Sequence, residues 1–292
     1  MVKTAVVVVN PARVQDMTSL VAEVNGVFTD DGWPAPAWVE TTADKPGRDQ
    51  AARAVADGAD VILVCGGDGT VRSCAAGLAG SSTAMCVVPL GTGNLLALNL
   101  HLPTDVTGAA RLATRGDRTR IDLGRADGEV FTTAAGLGFD ADLVADAPEN
   151  LKRSVGWLAY LASAAQHLRD GSFRVTVRLD DAEPHRYRAR CVIVANVGQL
   201  HGGLTLAPDA RCDDGRLDIV VVSPRRPRDW PGLIYQTLRR RDHARLRRFT
   251  ARTIEIAVLS GPVNREVDGD AIGAGNGIRI ETEHAALDVC VP

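Results

Sequence analysis

The sequence is poor in aromatic residues, has no closely spaced cysteine pair, no excess of basic charge and no long apolar run. Aromatics make up 4% of the 292 residues, while total hydrophobic content is 45%. The core must therefore be largely aliphatic, and a sizeable globular core is expected. The six cysteines (Cys65, Cys74, Cys86, Cys191, Cys212 and Cys290) include no C-x-x-C pair. That argues against a zinc site and suits buried, reduced thiols in a cytosolic protein. The net charge of −3 gives no global case for nucleic-acid binding. No apolar stretch reaches the ~18 residues that span a bilayer. No charged leader with a following apolar stretch precedes the first strand-like run, so no signal peptide is expected. The six histidines, His101, His167, His185, His201, His243 and His284, show no metal-binding spacing. No internal repeat or low-complexity linker is present.

What is present is an alternation of apolar runs and turn signals. Ala5–Val9 reads as a buried strand stopped by Asn10-Pro11. Residues 14–31 have helical spacing, with Leu20, Val24, Val27 and Phe28 on one face. Ala37–Glu40 reads as a second strand, and the alanine-rich stretch 48–57 as a helix ending at Gly58. Strands at 61–65 and 84–88 follow, each leading through a glycine turn into a helix. This order predicts an α/β domain with a mostly parallel sheet over residues 1–118. Such sheets bind ligands at the C-terminal ends of their strands, where both glycine turns fall.

After residue 118 the pattern changes. Strand-like runs occur at 120–125, 130–135, 173–179, 188–197, 217–222, 254–259, 263–267, 278–283 and 287–291, with one helix expected at 155–168. Many short strands predict a C-terminal antiparallel β-sandwich or barrel-like domain over 119–292.

Two strand–glycine–helix turns carry the chemistry. The first is Gly66-Gly67-Asp68-Gly69-Thr70, the second Gly91-Thr92-Gly93-Asn94. Glycines let backbone N–H groups approach phosphate oxygens, and Thr70 can cap the following helix. Asp68 adds a carboxylate that could orient Mg²⁺ or an attacking hydroxyl; a tight turn in which it satisfies local amides is the alternative. Val267-Asp268-Gly269-Asp270 reads as a hairpin turn on its own residues. Asp213-Asp214-Gly215-Arg216 is an oxygen-rich turn. The stretch 225–252 is rich in arginine without lysine, with apolar neighbours that include Trp230, Leu233 and Ile234. It suits either a solvated helix face or a surface for anionic headgroups. It is also the strongest local hint of nucleic-acid binding, but no nucleic-acid module accompanies it.

In order and spacing, these pieces resemble the diacylglycerol kinase catalytic-domain family, which includes bacterial soluble lipid kinases, sphingosine kinases and ceramide kinases. The resemblance rests on Asn10-Pro11, Gly66–Thr70, Pro89-Leu90-Gly91-Thr92-Gly93-Asn94, Ile121-Asp122-Leu123-Gly124, Pro208-Asp209-Ala210, Asp213–Asp218 and Val267–Asp270. It implies an ATP- and Mg²⁺-dependent lipid kinase with its active site in an interdomain cleft, most simply turning diacylglycerol into phosphatidic acid. By resemblance, Asn10, a threonine of the Thr41-Thr42 pair (Thr42 preferred), Gly66, Gly67, Asp68, Gly69, Thr70, Gly91, Thr92, Gly93 and Asn94 would contact the nucleotide. Asp270 would be the general base, with Asp68 and Asp122 as further catalytic carboxylates. Asp214 and the main-chain carbonyls of Arg211 and Arg216 would hold a structural Mg²⁺. The partners implied are a diacylglycerol-like lipid and an anionic membrane surface, for a cytoplasmic protein peripherally associated with the membrane and making no use of nucleic acid; homodimerisation is left open.

Two positions depart from the family pattern. The first loop, usually Asn-Pro-x-Ser-Gly, is Asn10-Pro11-Ala12-Arg13-Val14 here, and the final Asp-Gly-Glu is Asp268-Gly269-Asp270. An NAD kinase is the first alternative, because it shares the Gly-Gly-Asp-Gly-Thr turn. That family typically carries an Asn-Glu pair, which does not occur in this sequence. A non-catalytic nucleotide- or lipid-binding regulator on the same fold is the second. A dinucleotide oxidoreductase is disfavoured, because no G-x-G-x-x-G follows the first strand.

Overall fold

The computed structural model describes residues 3–138, 172–200, 204–205, 207–223 and 246–292. It divides into two compact units. The first comprises Met1–Leu123 and His284–Pro292, the second Gly124–Glu283.

The elements that build the first unit are β1 (Ala5–Val9), α1 (Met17–Asp30), β2 (Ala37–Glu40), α2 (Arg48–Ala56), β3 (Val61–Gly66), α3 (Asp68–Leu78), β4 (Ala84–Pro89), α4 (Leu95–Asn99), α5 (Val106–Arg115) and the start of β5 (Asp117–Ala126). Strands β2, β1, β3 and β4 lie side by side in that order and are parallel. The inner strands β1 and β3 are buried at every residue, as apolar runs without alternation require. Val7, Val9, Leu63, Cys65, Cys86 and Val88 face Leu20, Val24, Val27 and Phe28 of α1 and Ala109, Ala110 and Ala113 of α5. Helices α2 and α3 pack closely against each other: a Cβ on Gly77 would fall 2.4 Å from the Arg48 carbonyl oxygen. The caps follow the sequence. Asp16 accepts the Ser19 N–H ahead of α1, and Asp105 accepts the Gly108 N–H ahead of α5.

The second unit contains β6 (Glu129–Phe131), β7 (Ala134–Leu137), β8 (Phe173–Leu179), β9 (His185–Ala189), β10 (Cys191–Ala195), β11 (Gln199–Leu200), β12 (Leu204–Thr205), β13 (Leu217–Val222), β14 (Leu246–Ala251), β15 (Thr253–Val258), β16 (Val263–Val267), β17 (Asp270–Gly275) and most of the first half of β18 (Gly277–Val291). One sheet runs β18-β15-β8-β9, the other β14-β13-β10-β7-β16-β17, and their pairings are antiparallel. Alternate residues of the two sheets, such as Val175, Val177, Ile254 and Ile256 from one and Val192, Val194, Leu217 and Ile219 from the other, form a shared core. This is a β-sandwich.

The expected order, an α/β domain with a mostly parallel sheet and then an antiparallel β-sandwich, is the order observed. Several details differ. The run expected as one strand at 188–197 takes in the end of β9 and all of β10, with Arg190 between them. The run expected as one strand at 130–135 is broken at Thr132-Thr133, whose N–H groups turn to the Asp268 carboxylate instead of a ladder. The runs at 278–283 and 287–291 form a single strand, β18, which passes through a left-handed Ala285 with φ 49°. Residues of β18 from His284 onward return to the first unit, where Val289 pairs in parallel with Met85 of β4. The helix expected at 155–168 lies outside the described residues.

Candidate active site

The ends of β1, β2, β3 and β4 share one edge of the parallel sheet. Three turns meet there. Asn10 closes the first: its Oδ1 accepts the Ala12 N–H at 3.1 Å, and its Nδ2 donates to Thr70 Oγ1 at 3.3 Å. The second turn carries Gly66 and Gly67 into α3. The third carries Gly91 into α4. The two glycine turns touch through their backbones: a Cβ on Gly91 would lie 2.6 Å from Gly67 Cα. No side chain fits at Gly91, which is the physical need for glycine there.

Asp68 joins these turns. Its Oδ2 accepts the Asn94 N–H at 2.9 Å and its Oδ1 the Leu95 N–H at 2.7 Å. The carboxylate therefore caps α4 across 26 residues of chain. The amides it satisfies belong to the other glycine turn rather than to its own. Asn94 is left-handed, with φ 47°, a conformation that asparagine tolerates. Its Oδ1 accepts the Gly91 N–H and its Nδ2 donates to the Gly91 carbonyl, both at 2.8 Å. Asn94 thus shapes the turn. Gly69 and Thr92 are exposed at this edge, while Thr70 is buried beside Asn10.

Thr42 stands exposed just beyond the end of β2. Its hydroxyl accepts the Lys45 N–H at 3.1 Å and closes a turn. Gln50, absent from the sequence reading, holds that turn by donating to the carbonyls of Glu40 and Lys45 at 3.1 and 3.0 Å. Thr41 is buried.

Asp122 is not among these turns. It is fully buried on β5, where its Oδ1 accepts the Ala285 N–H at 2.7 Å and contacts His284 Nδ1 at 2.7 Å. The next residue, Ala286, takes the N–H of Gly80, just past the C-terminal end of α3. Asp68 begins that helix, so the two carboxylates lie toward its opposite ends.

In the second unit, Asp268-Gly269 is the two-residue turn of the β16–β17 hairpin, with Val267 paired to Asp270 and φ values of 48° and 86°. Two positive φ angles make it a type I′ turn. Asp268 is buried and accepts five hydrogen bonds, from the N–H groups of Thr132, Thr133 and Ala134 and from both threonine hydroxyls. Asp270, immediately after the turn, is exposed. Glu266, also absent from the sequence reading, is half-buried four residues earlier. Burial, reinforced by the charges of Asp268 and Asp270, pushes its carboxyl up to about 7.

The expected cation turn is oxygen-rich. Asp214 is exposed and accepts the Arg216 N–H at 3.0 Å, whereas Asp213 is bound to the Arg211 guanidinium. Burial, with the charges of Asp214 and Asp209, raises Asp218 to about 6. Carboxylate oxygens of this kind suit a hard cation. Among the described residues, no three acidic, histidine or cysteine side chains converge as a metal cluster. A cation here would therefore need main-chain carbonyls, as expected for Arg211 and Arg216.

Of the arginine-rich stretch 225–252, residues 225–245 lie outside the described residues. Its described end is not a helix face: Leu246–Ala251 is β14, paired with β13. Among the described residues no helix is long and apolar enough to cross a membrane.

Comparison with known proteins covers nearly the whole chain. Residues 4–126 match the model of the diacylglycerol kinase catalytic domain, and residues 133–291 that of the YegS C-terminal NAD kinase beta sandwich-like domain. A Staphylococcus saprophyticus protein named diacylglycerol kinase is 30% identical over 176 residues, 59% of this chain and 57% of that protein. The match thus spans little more than half of that relative. A Pseudomonas putida protein named probable lipid kinase YegS-like is 29% identical over 281 residues, 95% of this chain and 92% of that protein. A crystal structure of a diacylglycerol kinase from Bacillus anthracis superposes with a TM-score of 0.80 at 23% identity, covering 99% of this chain and 97% of that one. An NAD kinase from Archaeoglobus fulgidus, in complex with ATP, gives a TM-score of 0.55 at 14% identity, covering 98% of this chain and 93% of that one. At these identities the two structures speak to the fold alone.

Proposed function

The chain belongs to the diacylglycerol kinase catalytic-domain family, and from that premise we propose that it transfers the γ-phosphoryl group of ATP to the hydroxyl of a membrane lipid, diacylglycerol first among the acceptors. The observation that carries the reading is the interlock at one edge of the parallel sheet, where Gly67 meets Gly91 and Asp68 fastens the second glycine turn to the first. Phosphoryl transfer requires positioning and charge neutralisation more than covalent help. Interlocked glycine turns supply positioning for a triphosphate, with Gly69, Thr92 and Thr42 exposed at the same edge.

In this reading Asp68 acts on the nucleotide through the turn it holds. Asp270 is the general base, exposed at a hairpin whose register Asp268 fixes, and it accepts the proton of the lipid hydroxyl as the bond to phosphorus forms. Asp122 is fully buried, so its contribution runs through His284, whose side chain is 65% exposed. Asp214 and the main-chain carbonyls of Arg211 and Arg216 would hold a structural Mg²⁺, and neutralising the acidic turn is the chemistry the ion would supply. The test is incubation with γ-labelled ATP, Mg²⁺ and dispersed diacylglycerol. Label in the lipid extract supports the reading, and its absence with intact ATP binding contradicts it.

A further inference from the structure

At one end of a face of the β-sandwich sit arginines with no acidic partner among the described residues. On β8, Phe173, Val175 and Val177 are buried, so Arg174, Thr176 and Arg178 point outward. The register with β9 sets Arg174 directly opposite Arg188 and Thr176 opposite Arg186. All three of these arginines are exposed. Arg188 donates to the Ser172 hydroxyl, and neither Arg174 nor Arg186 has an ion-pair partner among the described residues. Further along the same face, Arg178 and Arg279 both pair with Glu255, so the lack of compensation is local to the β9 end. Like charges directly opposite each other weaken an antiparallel pair.

The next position on that face is apolar. Leu259, 48% exposed, donates its N–H to the Arg174 carbonyl at 2.7 Å. Val258 beside it is buried, so Leu259 and the exposed Ala257 share the outward face. The sheet thus sets Arg188, Arg174 and Leu259 in a row, with Arg186 alongside.

We propose that this face docks on the anionic surface of a lipid bilayer, with Arg174, Arg186 and Arg188 on lipid phosphates and Leu259 among the headgroups. Charge complementarity chooses the occupant: guanidinium groups bind phosphate oxygens through paired donors, and an apolar side chain within a basic patch suits the interfacial region. The biological reason for docking rests on the lipid-kinase reading; the binding itself does not.

The experiment is co-sedimentation of the full chain with phosphatidylglycerol-rich and with pure phosphatidylcholine vesicles, for the wild type, an Arg174→Gln/Arg186→Gln/Arg188→Gln variant, and Leu259→Ser. Each arginine near an anionic surface contributes roughly fivefold in affinity, so the triple variant is expected to lose about a hundredfold. Leu259→Ser is expected to lose several-fold, and wild-type binding to fall with salt. Both variants should keep wild-type turnover on detergent-dispersed lipid. Equal binding by the wild type and both variants overturns the proposal, as does wild-type binding that ignores lipid charge. Loss confined to an Arg239→Gln/Arg240→Gln/Arg241→Gln variant also overturns it. Aggregation of the triple variant with unchanged vesicle affinity would show that the arginines only guard an edge strand. Docking by a wild type that phosphorylates no lipid would leave the surface standing and remove the kinase reading.

Discussion

Asp68 Oδ1 accepts the backbone N–H of Leu95 at 2.7 Å, although the two residues belong to different glycine turns. Its other oxygen takes the Asn94 N–H. This carboxylate spends both its oxygens on holding one glycine turn against the other.

This makes a specific prediction for Asp68→Asn. The amide keeps one acceptor oxygen and turns an NH₂ group toward an N–H. Loss of one such cap costs about 1 kcal/mol of stability. ATP affinity should fall together with turnover, as measured by calorimetric titration and by initial rates. Lost turnover with unchanged ATP affinity would move Asp68 from holding the turns to the reacting groups.

Gly91→Ala should do similar harm by a different route. The added Cβ would sit 2.6 Å from Gly67 Cα and 2.7 Å from Asn94 Oδ1, so the turns must part. Gly26→Ala is the control. It lies within α1, and an added Cβ meets nothing within 4 Å. Alanine there should raise stability by up to about 1 kcal/mol. ATP titration and urea unfolding of both variants check the pair, and equal behaviour would refute the close-approach argument.

The two acids of Asp268-Gly269-Asp270 should separate by phenotype. Asp268→Ala strands five donors in a buried site and should cost roughly 3 kcal/mol or more in urea unfolding. Asp270→Asn should leave stability within about 0.5 kcal/mol of wild type. It should lower turnover while sparing ATP affinity. If Asp270→Asn weakens ATP binding alone, it is not the base.

Stability should also depend on pH in a definite sense. Burial raises Glu266 from its ordinary 4.5 to about 7 and Asp218 from 3.8 to about 6. A folded state that holds these protons more tightly than the unfolded chain gains their contribution in full below about pH 4 and loses it as pH rises through 6 and 7. Over that window the urea midpoint should fall with rising pH, and Glu266→Gln should flatten the upper part of the slope. A Glu266→Gln profile that overlays the wild type would show that this carboxyl does not carry the effect.

Much of this was legible in the sequence where the cause is local. The apolar run before Gly66, the glycines themselves and the Asp268-Gly269 turn signal each act within a few residues. What was not legible depends on register over long separations. Asp68 reads as a lone carboxylate until α4 is placed against it. Asp268 reads as a turn residue until Thr132 and Thr133 bring their donors across 135 or so positions. Arg174 and Arg188 look like unrelated surface charges until the hairpin sets them face to face. Asp122 carries a family motif, yet only the packing of β5 on β18 shows that the exposed group it reaches is His284.

The most direct test of the central claim is transfer of labelled γ-phosphate from ATP, with Mg²⁺, to a panel of acceptors in mixed micelles: diacylglycerol, monoacylglycerol, sphingosine and ceramide, with NAD alongside. The account predicts label in a lipid product, phosphatidic acid foremost, and none in NADP. Label in NADP, or in no acceptor although ATP binds, would contradict it.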